Sequence, residues 1–188
     1  MRVMDEAAAQ LVPGSLWTFV SGVCRLPAAA LSMLPPDRLP AAANRLLVHR
    51  RDMTSTLAEF HGSDLRVQIL QEAEAEDYYL REVFLRAIAT GAIVEYGVIA
   101  IAMARFSSEQ QTEIRTGGTP LGGLLHRFHM PFESAPVGFF SIPADKRAGT
   151  RLAAFDHGAC HGRFNHLATP AGEPIAWIME ILPGTPRE

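Results

Sequence analysis

Residues 65–104 read LRVQILQEAEAEDYYLREVFLRAIATGAIVEYGVIAIAMA, and the periodicity of this stretch decides the fold class. Leu65, Val67 and Ile69 alternate with Arg66 and Gln68, the period-two signature of a strand. An acidic turn is expected over 71–77. A second strand, rich in aromatic and β-branched residues, is expected over 78–89. Gly91 turns the chain into a third over 93–104. Strands joined by a short Gly-containing turn form an antiparallel hairpin. Downstream, Ser107-Ser108-Glu109-Gln110-Gln111 has capping-box spacing and predicts a helix start. Thr119-Pro120 predicts a second helix, with Thr119 as N-cap and Pro120 at the first helical position. A strand is expected over 132–143. Two more, over 163–169 and 175–182, flank the turn signal Pro170-Ala171-Gly172-Glu173-Pro174. Upstream, Pro13, Pro27, Pro35, Pro36 and Pro40 interrupt regular structure, so short helices between bends are expected, with a helix over 41–48. The sum is four to six antiparallel strands with helices before and between them, an α+β fold.

Composition bounds the rest. At 188 residues the chain is expected to be one domain, with 1–45 a Pro/Ala-rich helical N-terminal segment. A formal charge of −3 argues against a nucleic-acid surface, which needs a basic patch. Two cysteines, Cys24 and Cys160, are too few for a disulfide framework, so a reducing cytoplasm is expected. The start, Met1-Arg2-Val3-Met4-Asp5-Glu6, has acids where a secretory signal carries basic charge. The most apolar stretch, 92–104, contains Glu95 and is short of the ~20 residues that span a bilayer.

Two charges set in apolar strands carry the chemistry. Arg81 shares a strand face with Tyr79, Val83 and Leu85. A buried guanidinium needs an anionic partner. That partner is either an internal carboxylate or a ligand carboxylate held bidentately. Glu180 shares its face with Ala176, Ile178 and Leu182, where desolvation raises a carboxyl pKa and makes a candidate general acid or base. The structural alternative for both is a Glu180–Arg81 pair. Five histidines, His126, His129, His157, His161 and His166, invite a metal. Adjacent Cys160 and His161 point opposite ways on a strand, however, and no second Cys pair completes a zinc site, so no metal is expected. Gly-x-Ser-x-Gly, phosphate-loop and dinucleotide fingerprints are absent.

Four ordered segments resemble the chorismate lyase (chorismate–pyruvate lyase) family: Asp52-Met53-Thr54, Tyr79-Leu80-Arg81-Glu82, Gly118-Thr119-Pro120-Leu121-Gly122, and a closing hairpin. The hairpin runs from Gly162-Arg163 through Gly172-Glu173-Pro174 to Met179-Glu180-Ile181-Leu182-Pro183. The similarity covers about residues 46–186, with 128–159 longer and less alike. The resemblance implies a single antiparallel sheet with flanking helices enclosing an internal ligand pocket. It implies a cytoplasmic lyase that converts chorismate to 4-hydroxybenzoate and pyruvate without a cofactor, for ubiquinone biosynthesis or secondary metabolism. It carries ring-carboxylate binding onto Arg81, backbone contacts onto Met53 and Leu121, and a place beside the reacting hydroxyl and ether onto Glu180. The elimination removes the C4 proton and the C3 enolpyruvyl group and makes the ring aromatic. Arg81 would orient the substrate and Glu180 would manage one proton.

A rival reading belongs to a different class. Effector-sensing domains of certain bacterial transcription regulators share this general fold, so the chain could bind an aromatic acid without turnover. A regulator also carries a DNA-binding module. Arg2, Arg25, Arg38, Arg45 and Arg50 are too scattered for a basic recognition helix. A third reading is an enzyme acting on another chorismate-derived acid, its pocket reshaped by residues 128–159.

Overall fold

A computed structural model describes residues 10–155 and 158–184. The N-terminal residues read for a targeting signal, His157 and the residues from 185 onward lie outside that range. Among the described residues, seven strands form one antiparallel sheet flanked by helices, the α+β class that the periodicity predicts. The strands are β1 (Ser32–Leu34), β2 (Leu65–Ala75), β3 (Tyr78–Ala87), β4 (Ile93–Ala102), β5 (Glu133–Ile142), β6 (Cys160–Ala168) and β7 (Pro174–Leu182). Their order across the sheet is β1-β5-β6-β7-β4-β3-β2. The helices are α1 (Gly14–Gly22), α2 (Ala41–Leu47), α3 (Met53–His61), α4 (Ser108–Thr116) and α5 (Leu121–Arg127).

The strand count exceeds the four to six expected. The Pro-rich segment contributes β1, which pairs with β5. The acidic residues expected to form a turn instead extend β2 as far as Ala75, and the turn is confined to Glu76 and Asp77, with Glu76 at φ +53°. An edge strand has one side free, so charge there is tolerated and discourages pairing with other chains. Glu72 accepts from Tyr79 Oη at 2.6 Å, and Glu74 pairs with Arg115. The Ser107–Gln110 capping box forms at the start of α4. Thr119 does not cap α5. Pro120 takes the cap position with ψ 148°, an extended value that delays the helix to Leu121.

The two sheet faces are covered differently. Leu16, Phe19 and Val20 of α1 pack on Leu80, Phe84, Tyr96, Val98, Met179 and Ile181 as one continuous core. The opposite face carries two separate clusters. One joins Ile114, Leu121, Leu124 and Leu125 to Tyr79, Ile99, Ile101 and Leu167. The other joins Leu47, Met53 and Leu57 to Leu65, Leu85, Val94 and Leu182. Apolar burial contributes roughly 25 cal/mol per Å². Two clusters that do not merge therefore leave an interior gap to be explained.

Candidate functional site

That gap is a cavity of about 60 Å³ open to water centres, lined by side chains from both clusters and from the sheet. Met53, Leu85 and Val67 wall one side; Ile99, Leu121, Leu167 and Ile178 wall the other. The polar side chains that reach it are Arg81, Glu95, Asn165, Glu180, Asp52 and Thr54. The four residues assigned from sequence, Met53, Arg81, Leu121 and Glu180, thus surround a single space although they come from α3, β3, α5 and β7.

Strand register sets their geometry. Arg81 lies opposite Ile99, and Ile99 opposite Ile178. In the next row of this face Val83 lies opposite Gly97, Gly97 opposite Glu180, and Glu180 opposite Arg163. Arg81 and Glu180 are therefore two strands apart, roughly 10 Å in backbone spacing. Gly97 is the floor between them. A Cβ there would stand 3.2 Å from Glu95 Oε1 and 3.2 Å from Val83 Cγ2, so glycine keeps the space open.

The Glu180–Arg81 pair expected as the structural alternative does not form. Glu180 is instead bound by Nε of Arg163, its direct partner across the β6–β7 hairpin. Arg163 has no solvent exposure. Its Nη1 donates to Leu47 O at 2.9 Å and His49 O at 3.1 Å, and its Nη2 to Arg51 O at 3.5 Å. One guanidinium thus ties the loop between α2 and α3 to the sheet while neutralising Glu180. Burial pushes the Glu180 carboxyl up and Arg163 opposes that push.

Arg81 is held less completely. It is 2 % exposed, yet only one bond to protein is present: Nη1 donates to Ile114 O at 3.0 Å. Ile114 lies in the last turn of α4, where carbonyls lack helical partners and the dipole favours a cation. Arg81 Nε has no hydrogen-bond partner, and among the described residues no carboxylate lies within ion-pair distance. Burial works against the Arg81 charge, with Tyr79 and Glu72 opposing. A guanidinium keeps its proton under these conditions, so the cavity contains a cation that no carboxylate pairs directly, with the Tyr79 ring 5.9 Å from its Cζ and Glu72 across the ladder on β2.

Three residues beyond the sequence assignment shape the site. Arg163 is described above. Asn165 is fully buried, with Nδ2 3.1 Å from Ser134 Oγ. Glu95 lies opposite Leu85 in the regular part of the β3–β4 ladder and so shares the cavity face with Gly97 and Ile99; the slip beyond it is taken up at Val94. At the mouth, Asp52 caps α3 by accepting from Ser55 N at 2.8 Å, and its other oxygen is 3.3 Å from His126 Nε2. Gly122 permits this closure of α3 on α5, since a Cβ there would meet Asp52 Oδ1 at 2.8 Å. Beyond Asp52 a wider opening runs past Ser55, His126, Phe132 and Ser134 to the surface.

His126, His161 and His166 lie apart from one another. Cys160 packs in the α1-side core, whereas His161 lines an apolar cavity on the other face. His166 stacks on Trp177 at 3.9 Å. Among the described residues no group of three His, Cys, Asp or Glu converges. No described helix is long and apolar enough to cross a membrane.

No family model matches the chain, and no curated protein matches it. Solved structures do. PhnF from Mycobacterium smegmatis is similar with a TM-score of 0.54 at 12 % identity, over 98 % of this chain and 87 % of that one. A gene product of Staphylococcus aureus subsp. aureus N315 gives 0.50 at 10 % identity, over 73 % of this chain and 92 % of that one. A GntR-family transcriptional regulator from Bacillus cereus gives 0.45 at 8 % identity, over 67 % of this chain and 96 % of that one. Likeness at these identities is likeness of fold, and the chain has the α+β chorismate lyase-like fold: a single antiparallel sheet whose helices close over an internal pocket.

Proposed function

We propose that this chain is a binding domain for a small aromatic or similarly flat monocarboxylate, and that it senses that ligand without converting it. The observation that carries this reading is the unpaired, buried Arg81 guanidinium facing an apolar cavity. A guanidinium fork is the side chain best matched to a carboxylate. Charge supports a monoanion. Arg163 is already balanced by Glu180, so one free positive charge remains, and Asp52 at the mouth adds none. Domains of this fold serve as effector sensors in bacterial regulators. Titration calorimetry of the full chain with benzoate tests the reading. Saturable one-to-one binding is expected. Absence of binding at millimolar benzoate refutes it.

A second reading, chorismate lyase, is favoured by one observation: Arg81 and Glu180 address the same cavity from opposite sides. In that case Arg81 holds the ring carboxylate while Glu180 acts at the hydroxyl and ether side. Chorismate is a dianion, however, and its second carboxylate would meet Glu180 and Asp52 rather than a free cation. Glu180 also gives up basicity to Arg163. Incubation with chorismate is expected to release neither pyruvate nor 4-hydroxybenzoate; sustained release of both would reverse the order of the two readings.

A further inference from the structure

Arg81 and Glu82 are neighbours on β3, so they leave the sheet on opposite faces. Glu82 enters a second cavity, of about 310 Å³, lined also by Cys24 and Arg25 after α1, Gln71 of β2, Thr150 and Arg151. Glu82 is 1 % exposed. Its Oε1 accepts from Tyr96 Oη at 2.8 Å, and its Oε2 has no hydrogen-bond partner among the described residues. Arg151 Nε stands 3.8 Å from that oxygen, beyond hydrogen-bond reach, on a side chain that is 49 % exposed. The β2–β3 ladder slips between Ile69 and Gln71, so Gln71 rather than Leu70 lies opposite Glu82. Arg25 has φ +56°, the left-handed region that is ordinarily glycine's. Both irregularities bring a polar side chain to the cavity that holds Glu82.

The charges of the lining select the ligand. One carboxyl group lies buried at the floor, and two guanidiniums, those of Arg25 and Arg151, lie on exposed residues at the rim. Burial pushes the Glu82 carboxyl up, while the Tyr96 hydrogen bond and Arg151 oppose that push and favour the carboxylate. A simple cation reaching Glu82 passes both arginines. A simple anion held by the arginines leaves the Glu82 oxygen unanswered. A compact ligand carrying both signs meets neither difficulty. Its ammonium donates to Oε2, and a carboxylate beside that ammonium accepts from the guanidiniums. We propose that this cavity binds a small polar α-amino acid as its zwitterion, with the ammonium inward on Glu82 and the carboxylate outward on Arg25 and Arg151. Gln71, opposite Glu82, offers both a donor and an acceptor to a short polar side chain. The sheet separates this site from the Arg81 cavity, so the inference stands apart from the reading of Arg81.

The test is calorimetric titration of the full chain with L-serine and with two fragments of it: ethanolamine, which lacks the carboxylate, and 3-hydroxypropionate, which lacks the ammonium. Wild type is expected to bind L-serine one-to-one and each fragment at least ~10-fold more weakly. Glu82→Gln, which keeps an acceptor for Tyr96 without the charge, should weaken L-serine by ~10-fold or more. Arg25→Gly should weaken it by ~5-fold or more without lowering the melting temperature, because glycine takes the left-handed backbone without strain. Arg25 is exposed, so this variant gives an answer even where Glu82→Gln fails to fold. Saturating benzoate should leave L-serine affinity within ~2-fold. No binding of L-serine to wild type at ~10 mM, an undiminished affinity in either variant, or a fragment that binds as tightly as L-serine overturns the proposal. Displacement of L-serine by benzoate overturns the second site, whereas a protein that binds L-serine and ignores benzoate upholds it and overturns the reading of Arg81 alone.

Discussion

Arg81→Met is expected to make the empty protein more stable and to abolish carboxylate binding. An ion moved from water into a protein interior carries an effective penalty of several kcal/mol. In the folded protein Arg81 recovers little of it. Its hydrogen bond to Ile114 O is a charge-assisted one, worth ~1.5–3 kcal/mol, while the unpartnered Nε adds a cost of ~1–3 kcal/mol. Methionine has a similar length, no charge, and apolar neighbours in Val83, Ile99 and Ile178. The balance is a gain of ~1–3 kcal/mol, which for a chain of this size raises Tm by roughly 2–12 °C. Binding moves the other way. Losing a bidentate charge-assisted contact weakens benzoate by at least ~100-fold. Differential scanning calorimetry of the empty proteins and titration with benzoate measure the two effects on the same samples. A variant that melts lower than wild type and still binds benzoate within ~3-fold would show that Arg81 is a structural strut, and the argument from its missing partner would fail.

Arg163→Met is expected to do the reverse, lowering unfolding free energy by ~3–5 kcal/mol in urea titrations, because it strands a buried carboxylate and the Leu47, His49 and Arg51 carbonyls. Arg163→Lys should recover only part of that loss, since an ammonium lacks the planar fork that serves Glu180 and three carbonyls at once. Stability should also depend on pH through Glu95, whose carboxyl is held well above its ordinary value of 4.5, first by burial and then by Glu180, with Arg163 opposing. The folded state then keeps a proton that the unfolded state releases. This stabilisation is complete below 4.5 and fades as pH rises through the folded-state value, with a slope of up to ~1.4 kcal/mol per unit. Urea midpoints should fall over that range in wild type and fall less steeply in Glu95→Gln; equal slopes would refute the assignment.

Much of this site could be read from alternation. The face shared by Tyr79, Arg81, Val83 and Leu85 is the face that meets the helices α3 to α5, and Ile178 and Glu180 join it from β7. Alternation works there because one side of the sheet is a continuous apolar core that fixes which residues point away from it. Glu95 was legible in the same way: counting in twos from Ile99 through Gly97 reaches it on the cavity face, because the slip in the ladder falls beyond it at Val94. Alternation fails where the ladder is irregular: regular counting back from the Pro170–Pro174 turn sets Arg163 opposite Met179, and the slip between Leu167 and Ala168 moves it opposite Glu180. Its position in a short polar-looking run, His161-Gly162-Arg163, gave no apolar face to make the charge conspicuous. The β1 strand was hidden because three residues between prolines carry too little pattern to separate strand from bend.

The two buried arginines on this sheet face show how a structural charge differs from a waiting one. Both are almost fully enclosed, and both point inward from neighbouring rows of the same sheet. Arg163 spends its donors on Glu180 and on backbone carbonyls of the loop it anchors, so nothing about it asks for a further partner. Arg81 has one carbonyl, an idle Nε and a cavity in front of it. Burying a cation on those terms lowers stability without an internal return. The same contrast separates Glu180, which has its guanidinium, from Glu95, which has none. Arg81 and Glu95 line the same cavity, whose floor is kept open by Gly97. A carboxylate entering that cavity supplies Arg81 with the partner that the lining residues do not.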